Sequence, residues 1–297
     1  ITDTTISGNY TLAADQSGGG LAIDGSVLSL SRSTISGNSA TGYGGGIQMA
    51  GPGTKTLTNV TISGNTAHIG GGISNGGGGG TTDIINSTIA NNHFSASGIA
   101  GGVANYGSIS FLNTIIANND ADNCSNNLPG GTWTSLGYNL DSAGTCGFTA
   151  TGDLQNTDPL LGLLANNGGL TQTHALPSGS PAVEAGTNSG CPGTDQRGVL
   201  RPYGTYCDIG AYEYEPTNHA PTDITLTNNT VPENQPAFTQ IGSLLTTDSD
   251  LGDKHTYSFA CLVPGTDDAS FQIGSDKLLT NAVFDYETKD TYDICIR

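Results

Sequence analysis

Thr34-Ile-Ser-Gly-Asn38 returns as Thr61-Ile-Ser-Gly-Asn65, and with drift as Thr88-Ile-Ala-Asn-Asn92 and Ile115-Ile-Ala-Asn-Asn119; an earlier copy stands at Thr5–Asn9. The copies are spaced 29, 27, 27 and 27 residues apart. A glycine-rich partner follows most of them: Gly18-Gly-Gly-Leu21, Gly44-Gly-Gly-Ile47, Gly70-Gly-Gly-Ile73 and the weaker Ala100-Gly-Gly-Val103. A fixed period of this size means one supersecondary unit stacked many times.

Each unit is poor in helix formers. Short apolar alternations such as Val27-Leu-Ser-Leu30 and Ile109-Ser-Phe-Leu112 read instead as strands of three to five residues bounded by turn residues. About 27 residues hold roughly three such strands and three turns, one rung of a parallel β-helix whose rungs stack at about 4.8 Å. Neither a leucine-rich consensus nor a helix-turn-helix signature competes. The expected fold class is all-β: a right-handed parallel β-helix, then a Greek-key β-sandwich.

Alignment of the copies predicts side-chain ladders. Ile6, Ile35, Ile62, Ile89 and Ile116 share one position and are expected to stack inward. Asn9, Asn38, Asn65, Asn92 and Asn119 follow three residues later, at a turn, where asparagine tolerates left-handed backbone and its amide can bond from rung to rung. The glycine triplets mark a second corner, where positive φ or close backbone approach excludes a side chain.

The 297 residues carry 8 basic against 26 acidic side chains, a formal charge of −18. That balance argues against nucleic acid and anionic membrane as partners and favours divalent cations or basic partners. Acidity is uneven: the last 82 residues hold 12 of the 26 acids, whereas the repeats up to residue 122 hold six. Six cysteines fall into sequence-local pairs, Cys124 with Cys146, Cys191 with Cys207 and Cys261 with Cys295. An even count in such a chain reads as disulfides in an exported protein; local pairing is favoured, although six cysteines allow 15 connectivities. No stretch is apolar enough to span a bilayer, and the missing leader and starting Met read as an internal or processed piece of a longer exported protein.

The period fades after Asn119, giving expected domains 1–122 (β-helix repeats), 123–215 (a continuation and closing segment) and 216–297. In the middle segment Leu136-Gly-Tyr-Asn-Leu140, Asp158-Pro-Leu-Leu161, Asn167-Gly-Gly-Leu-Thr171, Gly179-Ser-Pro-Ala182, Thr194-Asp-Gln-Arg-Gly198, Arg201-Pro202 and Cys207-Asp-Ile-Gly-Ala-Tyr-Glu-Tyr214 stand in order. Together with the repeats they resemble bacterial surface proteins that carry a choice-of-anchor domain behind right-handed β-helix repeats. The resemblance implies secretion to the cell exterior and a family with no established catalytic residues.

After a polar linker, Ala220-Pro-Thr-Asp-Ile224, Val231-Pro-Glu-Asn234, Thr247-Asp-Ser-Asp250, Phe271-Gln-Ile273 and Phe284-Asp-Tyr-Glu287 resemble a cadherin-like repeat that stops at its penultimate strand. Calcium takes six to eight oxygen ligands from separated loops. The resemblance implies Asp248, Asp250 and Asn218, with Glu213 or Glu215, at the linker end. It implies Glu233, Asp285 and Glu287 at the opposite end. Ca²⁺ is the expected cofactor, against the blander reading of carboxylates that simply face water.

Asp195, Arg197, Arg201, Asp208 and Glu213 are read mainly as ion pairs fastening the last strand onto the end of the solenoid, less as a sugar site. An enzyme is not expected: residues 1–122 offer only Arg32 and Lys55 as bases, and their acids are isolated, whereas a glycosidase needs paired carboxylates. The expected function is an exported structural or adhesive protein, with copies of itself or neighbouring surface proteins as partners. Uncapped rungs and an open sandwich edge would allow head-to-tail filaments by strand addition. The alternative is a carbohydrate-binding or carbohydrate-active β-helix, with glycans as partners.

Overall fold

The computed structural model describes residues 1–125, 129–216, 220–248 and 254–297. The chain forms two compact units, Ile1–Glu215 and Pro216–Arg297.

The first unit is a parallel β-solenoid of about five turns. Its main sheet stacks Thr5–Ser7, Leu28–Ser36 and Thr54–Ser63. Each later rung is split by a bend into two strands, as in Thr81–Ile85 with Thr88–Ala90 and Ser108–Leu112 with Ile115–Ala117. A second parallel sheet stacks Leu21–Asp24, Ile47–Ala50, Ile73–Asn75, Val103–Asn105 and Cys124–Ser125.

Register puts like on like. Ile6, Ile35, Ile62, Ile89 and Ile116 pair in sequence, and the last four are fully buried. Isoleucine suits the position because its branched side chain packs closely on a pleated surface. At the far end Phe111 lies nearly parallel to Trp133 at 5.8 Å and tilted against Phe148 at 5.4 Å. These rings share one core cluster with the Cys124–Cys146 disulfide.

The corners explain the drift in the repeat, and they correct one expectation. Positive φ belongs not to the ladder asparagines but to the residue before each: Gly8, Gly37 and Gly64 at 68°, 62° and 66°, then Asn91 and Asn118, both at 56°. Glycine and asparagine exchange there because they tolerate left-handed backbone best. The ladder asparagine has a different task, described below. At the other corner, a Cβ on Gly46 would stand 2.6 Å from the Gly72 carbonyl oxygen of the next rung. Only glycine fits such an approach.

The second unit is an antiparallel sheet in the order Asp223–Leu226, Gln240–Thr247, Lys277–Thr280, Phe271–Gly274. Ile241, Phe271, Leu278 and Phe284 form its core, with Tyr292 stacked on Phe284 at 4.4 Å. Cys261–Cys295 ties two extended segments together, and Ser258 and Arg297 exchange main-chain hydrogen bonds of 2.9 Å in both directions.

Candidate functional site

The ladder asparagines form a one-way wire of hydrogen bonds. The side-chain amides of Asn9, Asn38, Asn65 and Asn92 each donate to the side-chain oxygen of the ladder residue in the next rung, at 2.9–3.0 Å. The same oxygen accepts the donor's main-chain N–H, as in Asn38 N to Asn65 Oδ1 at 3.0 Å. Each buried amide also returns a bond to the previous rung, Asn65 to the Ile35 carbonyl at 3.0 Å for example. The wire continues through Asn119 to Asn123 and ends where Asn123 Nδ2 donates to Asp141 Oδ1 at 2.7 Å. Asn123 escapes a 27-residue search because it follows Asn119 by only four positions.

The closing segment behaves differently from expectation. Residues up to Gln155 add further strands to the solenoid, but those after it run back along its flank, so the charged set does not fasten a last strand onto the end. Thr171 donates to the Arg32 carbonyl at 3.1 Å, and His174 Nε2 lies 2.9 Å from Ser63 Oγ. Gln196 bonds Thr34 and Thr61 at 2.9 and 2.7 Å. Thr88 accepts the Ala211 N–H at 3.0 Å, and Asn113 bonds the main chain of Thr187 in both directions at 2.9 Å. The physical reason is the solenoid's own polar flank: a column of Thr34, Thr61 and Thr88, with Asn59, Asn86 and Asn113 at the adjoining corner, needs partners. A second apolar core of Ile115, Leu140, Leu176, Ala182 and Ile209 seals this strap.

Inside the strap Asp195, Arg197, Arg201, Asp208 and Glu213 are buried as one knot. Main-chain N–H groups cap its carboxylates: Asp195 accepts from Arg197, Val199 and Glu213, Asp208 from Glu184 and Tyr214, Glu213 from Tyr203 and Asp208. Arg197 pairs with Asp195 at 2.8 Å and stacks on Tyr212; Arg201 lies 3.4 Å from Glu213. The segment has almost no strands, so carboxylates take the place of a sheet ladder. Burial, the largest influence, pushes the Asp208 carboxyl up to about 7 against the lowering effect of its two N–H bonds. Burial likewise raises Glu213 despite Arg201 beside it.

This placement overturns part of the expected linker-end cation site. Glu213 is consumed inside the knot, and Glu215 pairs with Arg197 at 3.3 Å. Of the remaining members, Asp248 lies 4.0 Å from His255. Asn218 and Asp250 lie outside the described residues.

The other acids do meet. Glu233, Asp285 and Glu287 place carboxylate oxygens within 4.8 Å of one another on the surface of the second unit. Local bonds hold them: Tyr286 N–H donates to Glu233 at 3.1 Å, Glu287 N–H to Asp285 at 3.1 Å, and the Thr288 hydroxyl to Asp285 at 2.8 Å. The Thr288 bond, first among these influences, lowers the Asp285 carboxyl below its ordinary range.

The cysteines close as Cys124–Cys146, Cys191–Cys207 and Cys261–Cys295. Three disulfides characterise proteins that mature in an oxidising compartment rather than a reducing cytoplasm. Among the described residues no helix is long and apolar enough to cross a membrane. Searches of protein-family models, curated proteins and solved structures each return no match to this chain.

Proposed function

We propose that this is an exported structural or adhesive protein of the bacterial cell exterior. In this reading the solenoid is a rigid spacer, closed along its flank by a choice-of-anchor-like strap, and the second unit is a cadherin-like module that binds calcium. The observation that carries the spacer reading is the asparagine wire, which commits the repeat's most regular polar groups to neighbouring rungs. Repeated local contacts of this kind build stiffness along one axis.

The donor set of Glu233, Asp285 and Glu287 suits calcium chemically: all oxygen, three negative charges and no soft ligand. It supplies three of the six to eight ligands needed, so carbonyls and water would complete the shell. The test is thermal unfolding of the whole chain against calcium chloride, with magnesium as control. Calcium is expected to raise the transition of the second unit and leave the solenoid's unchanged, and the triple variant E233Q/D285N/E287Q is expected to lose the shift. A wild-type transition indifferent to millimolar calcium would remove the cation from this reading.

A further inference from the structure

Hydroxyl columns cross the main sheet of the solenoid in two places, and the strap covers one of them. Thr34 and Thr61 donate to Gln172 and Gln196, and Thr88 accepts the Ala211 N–H. The other place is the first half of each rung. There Thr54, Thr81, Ser108 and Thr132 stand in one register column. Ser29, Thr56, Asp83, Ser110 and Thr134 stand in a second, two residues along. All of these side chains are exposed or half-buried. Among the described residues, the only hydroxyl of these columns with a partner is that of Ser110, which donates to Asp83 Oδ1 at 2.6 Å. No register shift interrupts these strand pairs, unlike the ladder of Thr66–Ile69 with His93–Ile99. The columns therefore form a grid, about 4.8 Å from rung to rung and about 6.6 Å between alternate residues of a strand. Lys55, between Thr54 and Thr56, is buried, and Trp133, between Thr132 and Thr134, packs against the core. Neither a basic group nor an aromatic ring stands in the grid.

We infer that this face binds ice. An anionic partner is held by basic side chains, and a small sugar by a concave pocket with aromatic walls; the grid offers neither. What it offers is a regular two-dimensional array of small groups, most of them a hydroxyl beside a methyl. Branching at Cβ restricts χ1, so the backbone sets where each threonine oxygen stands. The backbone is itself held in register by the asparagine wire on the same rungs. Oxygen rows in hexagonal ice repeat at intervals comparable to both grid spacings, so water resting on the grid joins the crystal with little rearrangement. Ordering a bridging water normally costs entropy. At an ice surface that ordering is already complete. Each contact is weak, but an array whose spacing is fixed engages many at once, and the summed affinity exceeds that of any one. The covered column shows the contrast: where hydroxyls of the same sheet meet a protein partner, they are matched one by one with side chains and main chain of the strap.

The test is slow growth of ice in a solution of the whole chain, followed by assay of protein in the ice and in the remaining liquid. Wild type is expected to concentrate in the ice. Thr56→Tyr and Thr81→Tyr, each raising a ring above the grid, are expected to lose that uptake and stay in the liquid with other solutes. His68→Tyr, on the separate ladder of Thr66–Ile69, is expected to keep it. Urea unfolding of each variant, unchanged from wild type, confines the loss to the face. Wild type left in the liquid overturns the inference, and so does uptake of both grid variants equal to wild type. Wild type that ice excludes but a suspension of crystalline polysaccharide retains also overturns it, and assigns the face to a glycan.

Discussion

The rungs of the first unit lie like on like, each isoleucine of the column from Ile35 to Ile116 facing another 27 residues away, whereas residues 216–297 gather unlike segments around four core side chains. In the first unit an error is confronted by identical neighbours on both sides. In the second a lost contact has no counterpart to share the load. The contrast teaches that repetition builds a continuous core from like contacts, while the smaller unit relies on four core side chains and a disulfide.

The contrast breaks most sharply at a glycine corner. Gly46→Val drives a side chain into the next rung's backbone and should cost about 4 kcal/mol or more, with urea unfolding of the first unit as the measurement. A variant as stable as wild type would mean the rungs can slide apart.

Those corners were legible in the chain because glycine recurs where backbone approaches backbone. So was the isoleucine column, whose position the period repeats. The strap was not: Gln196 reaches Thr34 across 162 residues with no periodic mark, and its knot uses carboxylates where a reader of patterns looks for strands. The left-handed corner sits one residue before the ladder asparagine, and the two adjacent asparagines of the later copies hide that offset in the sequence. Glu233, Asp285 and Glu287 were grouped by resemblance, since 52 residues separate the first from the second.

Next in size is the disulfide of the second unit. Cys261–Cys295 spans 34 residues, and the chain-entropy relation assigns such a loop about 3–4 kcal/mol. Under graded reductant, limited proteolysis should cut residues 216–297 first and leave the solenoid intact. Simultaneous loss would show that the solenoid leans on its own two disulfides just as heavily.

Asn65→Ala comes third. It strips acceptors from the buried Asn38 N–H and amide together, at about 3 kcal/mol. The exposed first copy, Asn9→Ala, should cost about 0.5 kcal/mol or less. Equal costs would mean that rung position is irrelevant to the wire.

The smallest effect is a slope. Asp208 keeps its proton in the folded chain up to about pH 7, against 3.8 ordinarily. As pH rises from about 4 to about 7 the unfolded chain therefore releases a proton first, and this group's contribution to stability declines. His174 acts in the opposite sense. Burial lowers its imidazole despite the Gly162 carbonyl, so the stability it contributes is present at neutral pH and is lost as pH falls below about 6.5. Urea midpoints from pH 4 to 8 for D208N and H174Q, each against wild type, separate the two; a D208N profile parallel to wild type would show that the knot holds Asp208 ionised throughout.

Asp141 occupies the rung position that isoleucine holds in earlier turns, paired with Ile116 and fully buried. Its carboxylate accepts from Asn123, from Ala143 N–H at 3.0 Å and from Cys146 N–H at 2.7 Å. From Asn38 to Asn123 each asparagine both receives and sends, whereas Asp141 only accepts in these three bonds. The relay of amides therefore stops where an amide nitrogen is exchanged for oxygen, while the sheet itself pairs on for one more rung, from Asp141 to Gln155.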